Sequence, residues 1–229
     1  MKNLVKLFCI ILCTTAFVLP VDNKEDDWDI AALDTARDVA YMSTIEKDVI
    51  LEMNKVRTNP KRYAEMYIES ELKYYNNKFY ERPGQIRILT SEGKAAVEEC
   101  IRELIAAEAV GILEPLKCLA LAAQDHRKNQ GATTQVGHTG VDRSTVRTRM
   151  ERHCKASGAW ALAENISYGP TTARDIVVQL LIDDGVPNRG HRINIMNGNF
   201  TQTGVGFGAH KKYNHMCVIV YGRNLVNKK

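Results

Sequence analysis

Beyond its first twenty residues, this 229-residue chain has no run long and apolar enough to cross a bilayer, which excludes a spanning helix from the mature portion. It has no CxxC pair, and that argues against a structural zinc knuckle. Aromatic residues are only 7% of the chain and no basic stripe interleaves with them, so nucleic acid is excluded as a partner. HExxH, GxSxG and the phosphate-binding GxxxxGK loop are all missing, which leaves no metalloprotease helix, nucleophile elbow or P-loop to build a function on. There is no internal repeat and no low-complexity tract.

The amino-terminal segment is what does carry a long apolar run. Lys2 and Lys6 precede the 13 residues Leu7 to Leu19, and Pro20 with Glu25, Asp26 and Asp27 ends the run. That is the layout of a secretory signal over residues 1–20, with Thr14-x-Ala16 as the cleavage site; lipidation of Cys13 is the weaker alternative, because Leu12 is bulky. The expected mature protein is therefore secreted, or at least extracytoplasmic. Its length of about 210 residues suits one compact domain. Removing Lys2 and Lys6 lowers the formal charge from +4 to +2, close to neutral. Four cysteines remain, Cys100, Cys118, Cys154 and Cys217, and they permit three pairings. Cys100 lies on an apolar helical stripe with Val97, Ile101 and Leu104, where a buried thiol is as reasonable as a bridge.

Residues 21–45 read as an arm, helical in part from Ile30 to Tyr41, leading into a domain over 46–225. Ser43-Thr44-Ile45-Glu46 is a capping box that starts a helix bearing Val49, Ile50, Met53 and Val56. Asn59-Pro60 ends that helix and opens the next. Asn76 to Arg87 is expected to be a surface loop, Ser91 to Val110 the longest helix, and Pro115 the start of another helix with Leu119, Ala120 and Ala123 inward. His126 extends that stripe as a packed histidine. Arg143 to Arg152 is a short basic helix with a solvated outer face, and Trp160 to Tyr168 a strand. Thr172 caps a helix with Ile176, Val177, Leu180 and Leu181 inward, stopping at Gly185. Gly204 to His210 and His215 to Tyr221 form a closing hairpin; the alternating glycines of the first strand mark close backbone packing rather than a nucleotide loop. This order lacks regular strand–helix alternation, so the fold class is α+β, with helices covering an antiparallel sheet.

Four chemistry-bearing residues hang on separate local motifs: His138 between glycines, Glu164 within the apolar strand, Asp183 at a helix end, and His191 in Arg189-Gly190-His191-Arg192. Each has a plain alternative. His138 reads equally as an exposed loop residue, Glu164 as an outward strand residue, and His191 as a turn anchor. Asp183 and Asp184 both continue the inner helical stripe, and the pattern does not choose between them. Cys154 beside His153 makes a poor nucleophile pair, since neighbours on a helix point about 100° apart.

Taken together, several segments resemble one family. They are Ile50 to Pro60, the helix from Leu119 to His126, Gly137-His138-Thr139-Gly140, Ala163-Glu164-Asn165-Ile166, and Asp183 to Met196, in that order, within residues 46 to 223. The chain resembles the CAP superfamily (cysteine-rich secretory, antigen 5 and pathogenesis-related 1 proteins, or SCP domains), in particular its bacterial exported branch. The resemblance implies a three-layer α-β-α sandwich with a central antiparallel sheet, and a cleft lined by His138, Glu164, Asp183 and His191. Asp183 stands where the family usually has a glutamate, and Leu180 and Leu181 stand where eukaryotic members carry aromatics. A divalent metal such as zinc on His138 and His191 is one implied use of the cleft, within an exported and non-enzymatic protein. Other implied roles are a lipid or sterol carrier, a protein-interaction module, or a metal-assisted hydrolase with Glu164 as base. The fold unites no single activity, so catalytic residues stay unassigned and the small-ligand, lipid or protein partner unnamed.

Overall fold

The computed structural model describes residues 28–228. The signal-like segment 1–20 and the first part of the arm lie outside the described residues. The arm enters through Trp28, Leu33, Ala36 and Met42, all buried in the main core. Helix α1 covers only Ile30–Leu33, shorter than the expected stretch to Tyr41. Asn54 explains the stop: its amide donates to the Leu33 carbonyl (2.8 Å), the acceptor a continuing helix would need. Helix α2 (Thr44–Thr58) begins with the expected capping box, and α3 (Pro60–Tyr63) starts at Pro60. A π-helical turn, Ala64–Ile68, and a 3-10 stretch, Glu69–Tyr74, continue α3.

The expected loop from Asn76 to Arg87 instead contains strands. Two-residue strands β1 (Tyr75–Asn76), β2 (Phe79–Tyr80) and β3 (Ile88–Leu89) pair antiparallel in that order. The expected longest helix is trimmed at both ends: α4 runs Lys94–Ala106, while α2 and α5 (Lys117–Gly131) are longer at 15 residues. Pro115 does not open α5. It sits in β4 (Glu114–Pro115), and the Leu116 amide goes to the Thr203 carbonyl (2.8 Å), which holds this stretch extended until Lys117. The remaining elements are α6 (Val146–His153), β5 (Cys154–Tyr168), α7 (Ala173–Ile182), α8 (Gly190–Met196), β6 (Gln202–His210) and β7 (Asn214–Asn227).

The main sheet has the order β4-β6-β7-β5; β6, β7 and β5 are antiparallel and β4 joins β6 parallel. One face, with Val205, Ile219 and Tyr221, packs on α2, α4 and α7 through Ile50, Met53, Cys100, Val177 and Leu181. The other, with Ile166, Val218 and Val220, packs on α5 and α6 through Leu119, Ala123 and Met150. This is the expected α-β-α sandwich. The alternating glycines of β6 let α5 lie directly on the strand. A side chain at Gly204 would overlap the backbone of Leu119 and Ala120, and a Cβ at Gly206 would sit 2.9 Å from the Ala123 carbonyl carbon.

Cys118 and Cys154 form a disulfide that ties the start of α5 to the junction of α6 and β5. Cys154 is therefore no nucleophile. Cys100 and Cys217 are buried thiols, and burial pushes Cys100 up to about 12, far from the reactive thiolate range.

Candidate functional site

The site grows from two imidazole–carboxylate pairs, each assembled by a different loop. His138 Nδ1 is 2.9 Å from Glu164 Oε1, and His191 Nδ1 is 2.5 Å from Asp183 Oδ1. The side chains of Glu164 and Asp183 are 1% and 2% exposed, whereas His138 is 54% and His191 24% exposed. Each carboxylate is thus an internal anchor that fixes a ring reaching solvent. With Nδ1 donating to the carboxylate, each neutral imidazole keeps its Nε2 lone pair for whatever approaches from outside.

A buried carboxylate needs partners on both oxygens. Asp183 Oδ2 accepts the His191 backbone N–H at 2.9 Å. Glu164 Oε2 accepts from Arg149 Nη2 at 2.7 Å, with both side chains 1% exposed. Arg149 also donates to the carbonyls of Ser144 (2.9 Å) and His138 (3.2 Å). It therefore holds the His138 loop and its carboxylate together. The outer face of α6 is solvated as expected, at Arg147, Thr148, Glu151 and Arg152, while Val146, Arg149, Met150 and His153 form its inner stripe and Arg149 lies buried beside Met150. Spacing alone would have found Arg149, had its charge not suggested a solvated face.

The glycine before His138 is pinned as firmly. Its carbonyl accepts from the amide of Gln130 (2.9 Å) and meets His126 Nε2 (2.9 Å), while its N–H donates to the Tyr168 hydroxyl (2.9 Å). His126 is the packed histidine that its stripe predicts, with no exposed surface. On the other side, Asp183 adopts a left-handed backbone (φ 56°) and ends α7 two residues before the expected Gly185 cap, turning its carboxylate back toward His191. Asp184 is resolved as a different device: its oxygens take the N–H groups of Ser91 and Glu92, both at 2.7 Å. Arg189 clamps the loop to α4 with forked bonds to Glu92 and Glu99 (2.6 to 3.0 Å), and Arg192 reaches Glu99 at 3.2 Å. Glu92, Glu99 and Arg149 have no motif around them and escape a reading based on motifs.

The two pairs are mounted on consecutive residues of β5, the outer strand of the sheet. Alternation puts Glu164 on the α5/α6 face opposite Val220, and Asn165 on the α2/α7 face. There the Asn165 amide donates to the His191 carbonyl (2.9 Å), and its oxygen accepts from Asn194 (2.8 Å). The pairs therefore straddle the rim of the sheet. Among the described residues no group of three or more His, Cys, Asp or Glu side chains is arranged to hold a metal. Both carboxylates are committed to ring nitrogens, to an arginine at Glu164 and to a backbone N–H at Asp183.

The charge network sets a pH dependence. Hydrogen bonds from Arg189, then from the Gly185 N–H, hold Glu92 at about 2 against an ordinary 4.5, and the same arginine lowers Glu99. Burial lowers His126 below its ordinary 6.5. In all three cases the unfolded chain binds the proton more readily, so stability rises with pH. The rise is expected between about pH 2 and 4.5 from the glutamates, and again up to about 6.5 from His126. Urea unfolding measured from pH 3 to 8 checks this, and His126→Gln is expected to flatten the upper step alone.

Residues 52–221 match the family described as CAP, the cysteine-rich secretory protein family. No curated protein matches the sequence. Among solved structures, an outer surface protein from Borrelia burgdorferi aligns at 16% identity and a TM-score of 0.41, over 50% of this chain and 80% of that one. An extracellular protein containing an SCP domain, from Bacillus anthracis, aligns at 22% identity and a TM-score of 0.39, over 50% of this chain but only 34% of its own length.

Proposed function

The chain belongs to the CAP, or cysteine-rich secretory protein, family, and from that premise we propose that it is an exported, non-enzymatic binding protein whose two imidazole–carboxylate pairs wall one ligand site at the rim of β5. The observation that carries this reading is the shared polarity of the pairs: each carboxylate is buried and each ring is presented outward with Nε2 available. Export is supported by the signal-like layout of residues 1–20 and by the Cys118–Cys154 disulfide, which suits an oxidising compartment.

The ligand is a divalent cation, such as zinc, or a small molecule that accepts the two imidazole edges. A cation would be held by His138 and His191, with Glu164 and Asp183 oriented behind them to raise ring basicity. Two nitrogen ligands fall short of the three protein ligands usual at zinc sites, so water or a second ligand completes the shell and the affinity is modest. Calorimetric titration of the domain with Zn²⁺ at pH 7.5 is expected to show one site, lost in both His138→Ala and His191→Ala. At pH 5.5 the affinity is expected to drop, because protons compete with the cation for its nitrogen ligands. Equal heats from all three proteins would remove cation binding from the proposal.

A further inference from the structure

The small sheet β1-β2-β3 ends in an apolar free edge. Residues 83–89, from the turn after β2 through β3, are exposed without a break. Ile86 is 85% exposed, Leu89 68% and Ile88 51%, and the first two are the most exposed of the large hydrophobic side chains described. β3 is an outer strand that pairs with β2 alone. Alternation sends Ile88 to one face of the strand and Leu89, opposite Phe79, to the other. A single exposed aliphatic needs no account, but three within four positions on a sheet edge are a hazard that folded proteins ordinarily blunt.

The surroundings are basic. Between Lys73 and Leu89 stand four basic residues and one acid, Glu81, which Arg87 holds at 2.7 Å. Arg82 is engaged with Asp175 (2.8 Å). Lys73 and Lys78, which flank β1, are exposed and form no ion pair among the described residues. Lys78 stands close to the apolar edge, because its carbonyl accepts the Thr90 N–H (2.8 Å), one residue past Leu89.

We propose that this finger docks on an anionic lipid surface, with Ile86, Ile88 and Leu89 entering the boundary between headgroups and acyl chains and Lys73 and Lys78 meeting the lipid phosphates. Two observations select this occupant over a second copy of the chain. Pairing two copies at this edge would bring two basic fingers together, and like charges across an interface oppose that. A protein docked on one face of β3 would also leave the aliphatic of the other face in water, whereas lipid closes around both. The surface does not involve His138 or His191, so it is tested separately from the ligand site.

Co-sedimentation of the full mature chain with vesicles of phosphatidylcholine alone, and of phosphatidylcholine mixed with phosphatidylglycerol, tests the proposal. Binding to the mixed vesicles is expected to be about ten-fold tighter or more, and to weaken with added salt. Ile86→Ser/Ile88→Ser is expected to weaken that binding about ten-fold, and Lys73→Gln/Lys78→Gln to bring it down toward the level of phosphatidylcholine. All four side chains are exposed, so both variants should melt with the wild type. Equal binding to the two vesicle types, no binding to either, or an isoleucine variant that binds as the wild type does would overturn the proposal. A concentration-dependent dimer in sedimentation velocity, without vesicle binding and abolished by Ile86→Ser/Ile88→Ser, would also overturn it and give the edge to a second copy. The vesicle comparison needs only the wild-type chain, so it holds even if a variant fails to fold.

Discussion

Arg149→Met is expected to destabilise the domain by about 3–5 kcal/mol, because it strands Glu164 as an uncompensated charge in the interior. The pair is enclosed on both sides, with each side chain 1% exposed, so water cannot take over the lost partner. The substitution also removes donors from the Ser144 and His138 carbonyls, and the loop that carries His138 loses its tether. For a domain of this size the melting temperature should fall by roughly 6–20 °C. The double variant Arg149→Met/Glu164→Leu should regain much of that loss, since replacing both members of a buried pair by apolar groups is often near neutral. It should not regain Zn²⁺ binding, because His138 would then lack the carboxylate that fixes its tautomer. Thermal unfolding of the two variants separates the stability role of the pair from its role at the site. A single variant as stable as the wild type would refute the assignment.

The second large effect is expected at Arg57. This residue is fully buried, and its guanidinium donates to four backbone carbonyls: Gly111 (2.7 Å), Ile195 (2.6 Å), Asn197 (3.1 Å) and Phe200 (2.9 Å). Burial lowers its pKa to about 10, still high enough to keep the charge at neutral pH. One side chain thereby joins the end of α2 to the segment after α4, the end of α8 and the approach to β6. Arg57→Met leaves those carbonyls without donors, and each orphaned buried acceptor costs about 1–3 kcal/mol before relaxation. A net loss of about 3–5 kcal/mol is expected, with Arg57→Lys intermediate because an ammonium cannot span four acceptors. Urea unfolding gives the measurement; a loss below about 1 kcal/mol would mean that water reaches these carbonyls.

Both arginines show how far the sequence could be read. Arg57 lies four residues after Met53 and seven after Ile50; Arg149 lies three after Val146 and beside Met150. Periodicity places each on an inner stripe. Their charge argues the other way, and only the acceptors each one finds in the fold decide the conflict. The same holds for the two aspartates. The helical pattern treats Asp183 and Asp184 alike, but the left-handed turn at Asp183 sends one carboxylate to His191 and the other to the amides of Ser91 and Glu92. Boundaries were less legible than elements. The helix from Ser91 to Val110 and the helix expected at Pro115 were each displaced by hydrogen bonds to residues far away in the chain.

Local sequence determined the helix caps at Ser43 and Thr172, the glycine alternation that seats α5 on β6, and the helical faces. These depend on spacing and on the chemistry of near neighbours, and both are written along the chain. Tertiary structure decided which cysteines pair, which aspartate meets His191, and that Glu164 and Asp183 stand behind the rings rather than beside them as ligands. The last two outcomes turn on which donors fill a carboxylate's lone pairs: Arg149, 15 residues away, for Glu164; the His191 N–H, 8 residues away, for Asp183; and the amides of Ser91 and Glu92, 93 and 92 residues away, for Asp184.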